Sequence, residues 1–310
     1  MSQAAIAALA DLSGTAFWIA RYRALETARR SPLFRDPWAA QLAGERGRAI
    51  VEQLPAAKRY TWVFVMRTLI LDNMITEQLK TGRFDTVINL ASGLDTRAFR
   101  LDIPRDVRWF DVDTAQTTEY KRGVLRSVSP HCQWTGIAAD LSDKAERQAL
   151  LTDLSADARK VLVISEGLLL YLSEFQVDAL ARDLHAQPKV QAWVFDINSR
   201  ESLTEAQRLW AKPLRSIHAH FQFAPYDGTE FFAASGWRQA EHTSIVGEAL
   251  RLKRLPLGMR GMLRLAKWIA PSRYEGAFDS GIARLERQRT ADVSMARPRP
   301  DADAGRPPAR

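Results

Sequence analysis

Residues 85–97, DTVINLASGLDTR, pass from a strand through a turn towards a helix, and this short passage decides the fold. Asp85 to Ala91 is rich in apolar and β-branched side chains, the composition of a strand covered on both faces. Gly93 in the turn that follows offers the close backbone approach that a bound ligand needs at the carboxyl end of a strand.

Working outward, strands are predicted at Val107 to Val112, Cys132 to Ala139, Lys160 to Ser165 and Val190 to Ile197. Helical segments at Thr114 to Ser127, Asp143 to Leu154 and Ser173 to Ala186 alternate with them. Upstream, helices are expected over Gly14 to Arg30 and from about Tyr60 to Lys80, and Ser31-Pro32 and Asp36-Pro37 break the first of these. Edge strands are expected near Trp237 to Val246. Regular alternation with near-continuous apolar strands predicts an α/β fold: a Rossmann-like, doubly wound, mostly parallel sheet. The chain divides into an N-terminal helical lid region (1–80), a Rossmann-like core (81–250) with a lid insertion around 200–230, a basic helical extension (251–290) and a tail (291–310). The Pro-, Arg- and Asp-rich tail lacks aliphatic side chains and is expected to be disordered.

Charge and cysteine usage narrow the function. The net charge of +8 is concentrated late: residues 250–310 hold 14 basic and 6 acidic side chains, while residues 1–249 balance. A cleft that reads nucleic acid would charge the core as well, so nucleic acid is not the expected partner. The segment Leu252 to Ala270 is basic and amphipathic, which suggests peripheral membrane contact, although Pro256, Gly258 and Gly261 weaken it as one helix. Cys132 is the only cysteine, so no disulfide or thiolate zinc site can form within the chain, and a buried strand residue is expected. No metal site is expected. No stretch reaches the roughly 18 to 20 apolar residues of a membrane span, and the start lacks a signal peptide's basic region; a cytoplasmic protein is expected.

Three successive strands close on acids. Trp109-Phe110-Asp111-Val112-Asp113 places a carboxylate twenty residues after Gly93, the offset at which it can accept both hydroxyls of a cofactor ribose. Asp111 shares that face, and Asp113, at the strand end, is the better placed. Asp140-Leu141 could take an adenine amine and cover the ring; Ser165-Glu166-Gly167 ends the fourth strand. One such acid is ordinarily a helix cap, whereas three beside a glycine turn point to a ligand. Asp95 lies where a dinucleotide's pyrophosphate would sit, which opposes an anion. S-adenosylmethionine has no phosphate and carries a sulfonium and an ammonium; Arg67, in the helix before the first strand, is a candidate for its carboxylate.

VINLASGLDTRAFRL, WFDVD, YKRGVL, AADL and SEGLLLYL, with AFWIARYRALE, SPLFRDPWA and VMRTLILD upstream, resemble the leucine carboxyl methyltransferase-like family, particularly its bacterial polyketide O-methyltransferase branch. The resemblance runs from about Thr15 to about Ile197. It implies S-adenosyl-L-methionine as cofactor, with Arg67, Gly93, Asp113, Asp140, Leu141 and Glu166 at cofactor-binding positions. The family usually has glycine at Ala91 and glutamate at Asp111. It also favours a lid role for Arg21, Arg23 and Glu26, which otherwise read as a solvated helix face.

The expected activity is therefore O-methylation of a carboxylate or hydroxyl on a small polyketide-like or aromatic metabolite. Tyr171, His218 and His220 are weak catalytic candidates; no histidine-centred base motif is present, which favours an acceptor that is already acidic. A nicotinamide-dependent Rossmann oxidoreductase, and a basic protein docking on nucleic acid or membrane through residues 250–310, are the rival readings.

Overall fold

The computed structural model describes residues 13–53, 60–215, 221–269 and 278–288. Three helices, α1 (Ser13–Thr27), α2 (Ala39–Gln53) and α3 (Thr61–Lys80), precede the sheet. The core then runs β1 (Thr86–Leu90), α4 (Arg97–Arg100), β2 (Arg108–Asp113), α5 (Ala115–Leu125), β3 (Gln133–Ala138), α6 (Lys144–Ser155) and β4 (Val161–Ser165). A 3-10 turn at Leu169–Tyr171 leads to α7 (Glu174–Ala186), β5 (Val190–Ile197) and α8 (Arg200–Arg215). A second 3-10 stretch, β6 (Trp237–Ser244), α9 (Ile245–Arg251), α10 (Leu257–Ile269) and β7 (Gly281–Arg287) complete it.

The seven strands form one sheet in the order β3-β2-β1-β4-β5-β7-β6. β1 to β5 are parallel neighbours, and β7 runs antiparallel between β5 and β6. The chain order reverses between β1 and β4, so ligands are expected in the crevice at their carboxyl ends. Each buried strand feeds two cores by alternation. Val87, Leu162, Ile164, Ala192 and Val194 face the core built with α1, α2 and α3. Ile88, Val161, Val163, Trp193 and Phe195 face the opposite one. A run that is apolar at nearly every position serves both faces, which is why it shows no period of two.

The C-terminal extension differs from the helical expectation. Residues 251–290 hold α10, but also β7, which lies inside the sheet. Ile282, Ala283 and Leu285 of β7 are fully buried, while Arg284 and Glu286 pair with each other and with Glu241, Arg83 and Arg238. Those charges made GIARLER look solvent-borne; paired at one rim, they sit in a central strand without an unpaired buried charge. Gly281 is required there, since a Cβ would lie 2.4 Å from the Thr243 carbonyl oxygen. The edge strand expected near Trp237 is β6. The tail, 291–310, lies outside the described residues.

Candidate functional site

The turn after β1 is built from left-handed backbone: Ala91 has φ +50° and Gly93 φ +52°. Ala91 thus occupies a position that suits glycine, and its methyl carries a cost of about 1 kcal/mol. At Gly93 a side chain would press on Ala16 of α1, 3.2 Å away. α1 therefore lies directly over the turn. Arg23 of α1 donates to the Leu94 carbonyl, and Thr15 hydrogen-bonds Tyr171. A cavity of about 360 Å³ opens beside the turn, walled by Ala16, Phe17, Gly44, Leu94, Thr117 and Tyr120.

The two acids of β2 have separate fates. Asp113 is half-buried; its Oδ2 accepts from Gly93 N–H at 2.7 Å and its Oδ1 from Thr114 N–H at 2.8 Å. Those bonds fix the carboxylate at the carboxyl end of β2 and leave lone pairs on both oxygens. Asp111 is buried, and it accepts from Asn89 and Trp109 on one oxygen and from Trp134 and Lys121 on the other. With four donors already on it, Asp111 is a structural acid and is withdrawn as a ribose ligand. Asp140 is exposed in the loop after β3, where Ser142 hydrogen bonds hold its pKa below the ordinary value. Leu141 beside it is half-buried.

Beneath the turn lies a buried ion network that local sequence patterns do not reveal. Glu166 accepts from Arg67 Nε at 2.9 Å and from Arg97 Nη1 at 2.7 Å. Arg97 also bonds Asp95 and Asp72; Arg100 bonds Asp72; Arg23 and Thr96 bond Asp36. Asp196, at the end of β5, receives Arg67 Nη1 at 3.3 Å and Gly167 N–H at 2.6 Å. Burial alone would raise Glu166, but the Arg97 and Arg67 guanidiniums outweigh it and hold the carboxylate below the usual range. Asp95 is likewise pushed far down, with Arg97 the leading charge acting against its burial. Asparagine Asn89 joins Asp95 to Asp111 and so to Lys121. Five cations (Arg23, Arg67, Arg97, Arg100, Lys121) thus meet six carboxylates (Asp36, Asp72, Asp95, Asp111, Glu166, Asp196), one negative charge in excess. Arg23 and Glu26 are buried, not a solvated helix face.

This donor set fits a cation better than a phosphate. Asp95 accepts the Arg97 N–H at the start of α4, so a carboxylate of the chain itself holds the place a pyrophosphate would need. The excess negative charge complements a sulfonium and an ammonium offset by one carboxylate. Asp113, Gly93, Arg67 and Glu166 are brought together at the carboxyl ends of β1, β2 and β4, with Asp140 and Leu141 next along the sheet after β3. His218 and His220 lie outside the described residues. The described histidines bond elsewhere: His131 to the Leu101 carbonyl and His242 to that of Asp279, while His185 packs edge-on against Trp237. Tyr171 is half-buried, 5.2 Å from the Phe221 ring, and burial raises its pKa, which opposes a role as a base. Among the described residues there is no cluster that could hold a metal ion, and no helix long and apolar enough to cross a membrane.

The model of a family described as leucine carboxyl methyltransferase matches residues 16–185. The chain is 32% identical over 240 residues to a protein of Streptomyces avermitilis and, to the same degree, to one of Streptomyces coelicolor; both are named "Putative S-adenosyl-L-methionine-dependent methyltransferase". Each match covers 74% of this chain and 84% of the relative. A crystal structure of a DUF574 family protein from Streptomyces avermitilis superposes with a TM-score of 0.54 at 14% identity, covering 87% of this chain and 97% of that one. That likeness is one of fold. The fold, the family model and these relatives together define a Rossmann-like methyltransferase that uses S-adenosyl-L-methionine. Within that class, the chain belongs to the leucine carboxyl methyltransferase family.

Proposed function

We propose that this protein methylates an oxygen, a carboxylate or an acidic hydroxyl, of a small aromatic or polyketide-like metabolite. The observation that carries the proposal is the excess of negative charge at the carboxyl ends of β1, β2 and β4, where none of the described histidines lies. S-adenosyl-L-methionine supplies a methyl group on positively charged sulfur. In the transfer, the acceptor oxygen forms the new bond to carbon as the carbon–sulfur bond breaks and its electron pair returns to sulfur. A carboxylate acceptor releases no proton and so needs no base.

The residues of this chain bind and align. Asp113 takes the ribose hydroxyls with its remaining lone pairs, and Gly93 lets the methionine portion approach the backbone. Arg67, whose Nε and Nη1 are held by Glu166 and Asp196, offers Nη2 to the methionine carboxylate. Glu166 fixes Arg67 and Arg97 and would offer its charge to the ammonium; Asp140 would take the adenine amine and Leu141 would cover the ring. α1, which lies over the turn after β1, excludes water above the reacting atoms.

The test uses S-adenosyl-L-methionine labelled in its methyl group, with aromatic carboxylic acids and phenols as acceptors. Base treatment releases the label as methanol from an ester but not from an ether. Label on ester or ether oxygen is expected; label only on nitrogen, carbon or sulfur would refute oxygen transfer.

A further inference from the structure

α10 carries three distinct faces. Pro256 stands immediately before it, and its carbonyl accepts from Arg260 N–H. The proline therefore starts the helix, and Gly258 and Gly261 are absorbed within it. Met259 and Leu263 pack down onto the core. Arg260, Arg264 and Lys267 follow round the barrel of the helix on a second face. Met262, Leu265, Trp268 and Ile269 form the third, and they stand 65%, 59%, 84% and 72% exposed. Gly258 and Gly261 share that third face, and a Cβ at either would meet nothing within 4 Å. Four large apolar side chains thus form an open stripe beside a cationic one.

We infer that α10 lies flat on the surface of an anionic lipid bilayer, with Trp268 and its apolar neighbours in the interface and the cations at the headgroups. Charge complementarity selects this occupant. From Ala249 to Ile269 there are six cations and no acid. Among the described residues no carboxylate pairs with Lys253, Arg260, Arg264 or Lys267, while Arg251 and Arg254 are taken by Glu248 and Glu26. A second copy related by a twofold axis would set these cations against their own images. Thirteen residues are too few to span a bilayer but suffice for an interfacial helix. Arg254, in the connection that leads into α10, also donates to the Ser31 carbonyl, just past the end of α1, and so ties that connection to the element that covers the site. The inference does not depend on which acceptor is methylated.

The experiment is sedimentation of the full-length protein with vesicles of phosphatidylglycerol and phosphatidylcholine, or phosphatidylcholine alone, at low and high salt. Binding is expected to require phosphatidylglycerol and to weaken with salt. The double variant Met262→Glu/Trp268→Glu should reduce binding by roughly tenfold or more with no change in melting temperature, since both side chains are exposed. Gly258→Ala/Gly261→Ala, which strengthens the helix, should bind at least as well as the wild type. The inference fails if the wild type ignores anionic vesicles or binds both kinds equally. It fails equally if wild type and Glu variant bind alike, if duplex DNA competes the protein off the vesicles, or if Trp268→Glu instead dissolves a vesicle-independent dimer.

Discussion

Asp111 and Asp113 sit two residues apart on one strand, and exchanging each for alanine should give opposite results. Among the described residues, the Asp113 side chain accepts from two backbone N–H groups, those of Gly93 and Thr114. Asp113→Ala should therefore cost about 1–2 kcal/mol of stability, since each hydrogen bond to a half-exposed carboxylate contributes modestly. Loss of the ribose contact should weaken S-adenosyl-L-methionine by about 1.5–3 kcal/mol, roughly tenfold to somewhat more than a hundredfold in Kd. Adenosine should weaken equally, because the ribose is common to both. Asp111→Ala removes the partner of buried Lys121 and orphans Asn89, Trp109 and Trp134. A cost of about 3–5 kcal/mol is expected from stranding a buried charge, with affinity in the folded fraction little changed. Urea denaturation and titration calorimetry read the two quantities. Unchanged affinity in Asp113→Ala, or a selective affinity loss in a stable Asp111→Ala, would refute the division of labour.

Arg67→Ala should weaken S-adenosyl-L-methionine more than adenosine by calorimetry; equal weakening would confine Arg67 to its pairs with Glu166 and Asp196. Ala91→Gly should stabilise the protein slightly, by up to about 0.5 kcal/mol in denaturant, because the relief of a left-handed alanine, about 1 kcal/mol, is partly offset by glycine's unfolded-state entropy; destabilisation would contradict it. Glu166 has a folded pKa below its unfolded value, so its contribution is present above the unfolded pKa and is lost as pH falls through the folded one. The stability gap between wild type and Glu166→Gln should accordingly shrink as pH drops below about 4; a constant gap would mean that the carboxylate's charge is not what Arg67 and Arg97 use. Truncation after residue 290 should leave the melting temperature unchanged, whereas truncation after residue 269 removes β7 from between β5 and β6 and should unfold the protein; matching melting curves would overturn that contrast.

The parallel core was legible because each of its strands is an uninterrupted apolar run closing on a turn, and local composition carries that signal. β7 was not, since its identity depends on partners more than thirty residues away, and Arg284 and Glu286 meet Arg83, Arg238 and Glu241 only once the chain has folded. Within the site, Gly93 and Asp113 could be read from their spacing, and the structure joins them by a hydrogen bond. The buried network could not be read this way. Arg23, Asp36, Asp72 and Arg100 lie on helices and loops where charged residues normally face water, and only folding turns them inward. Asp196 did leave a signal, as a fourth acid near the carboxyl end of a strand, but it sits within the apolar run of β5.

An ion network this large is a poor device for stability, since each buried charge gives up hydration that its pairs only partly return. Its placement is better explained by what it prepares. Six acids against five cations leave one negative charge beneath the turn after β1, and a ligand carrying a net positive charge supplies what is missing. A pyrophosphate would enlarge the imbalance. The same network reaches α1: Arg23 bonds both Asp36 and the Leu94 carbonyl, while Asp36 also holds Thr96. Moving α1 off the site therefore means breaking ion pairs as well as exposing Phe17 and Trp18. Charge balance and closure are thus coupled: the side chains that favour a cationic cofactor are also those that hold the covering helix over it.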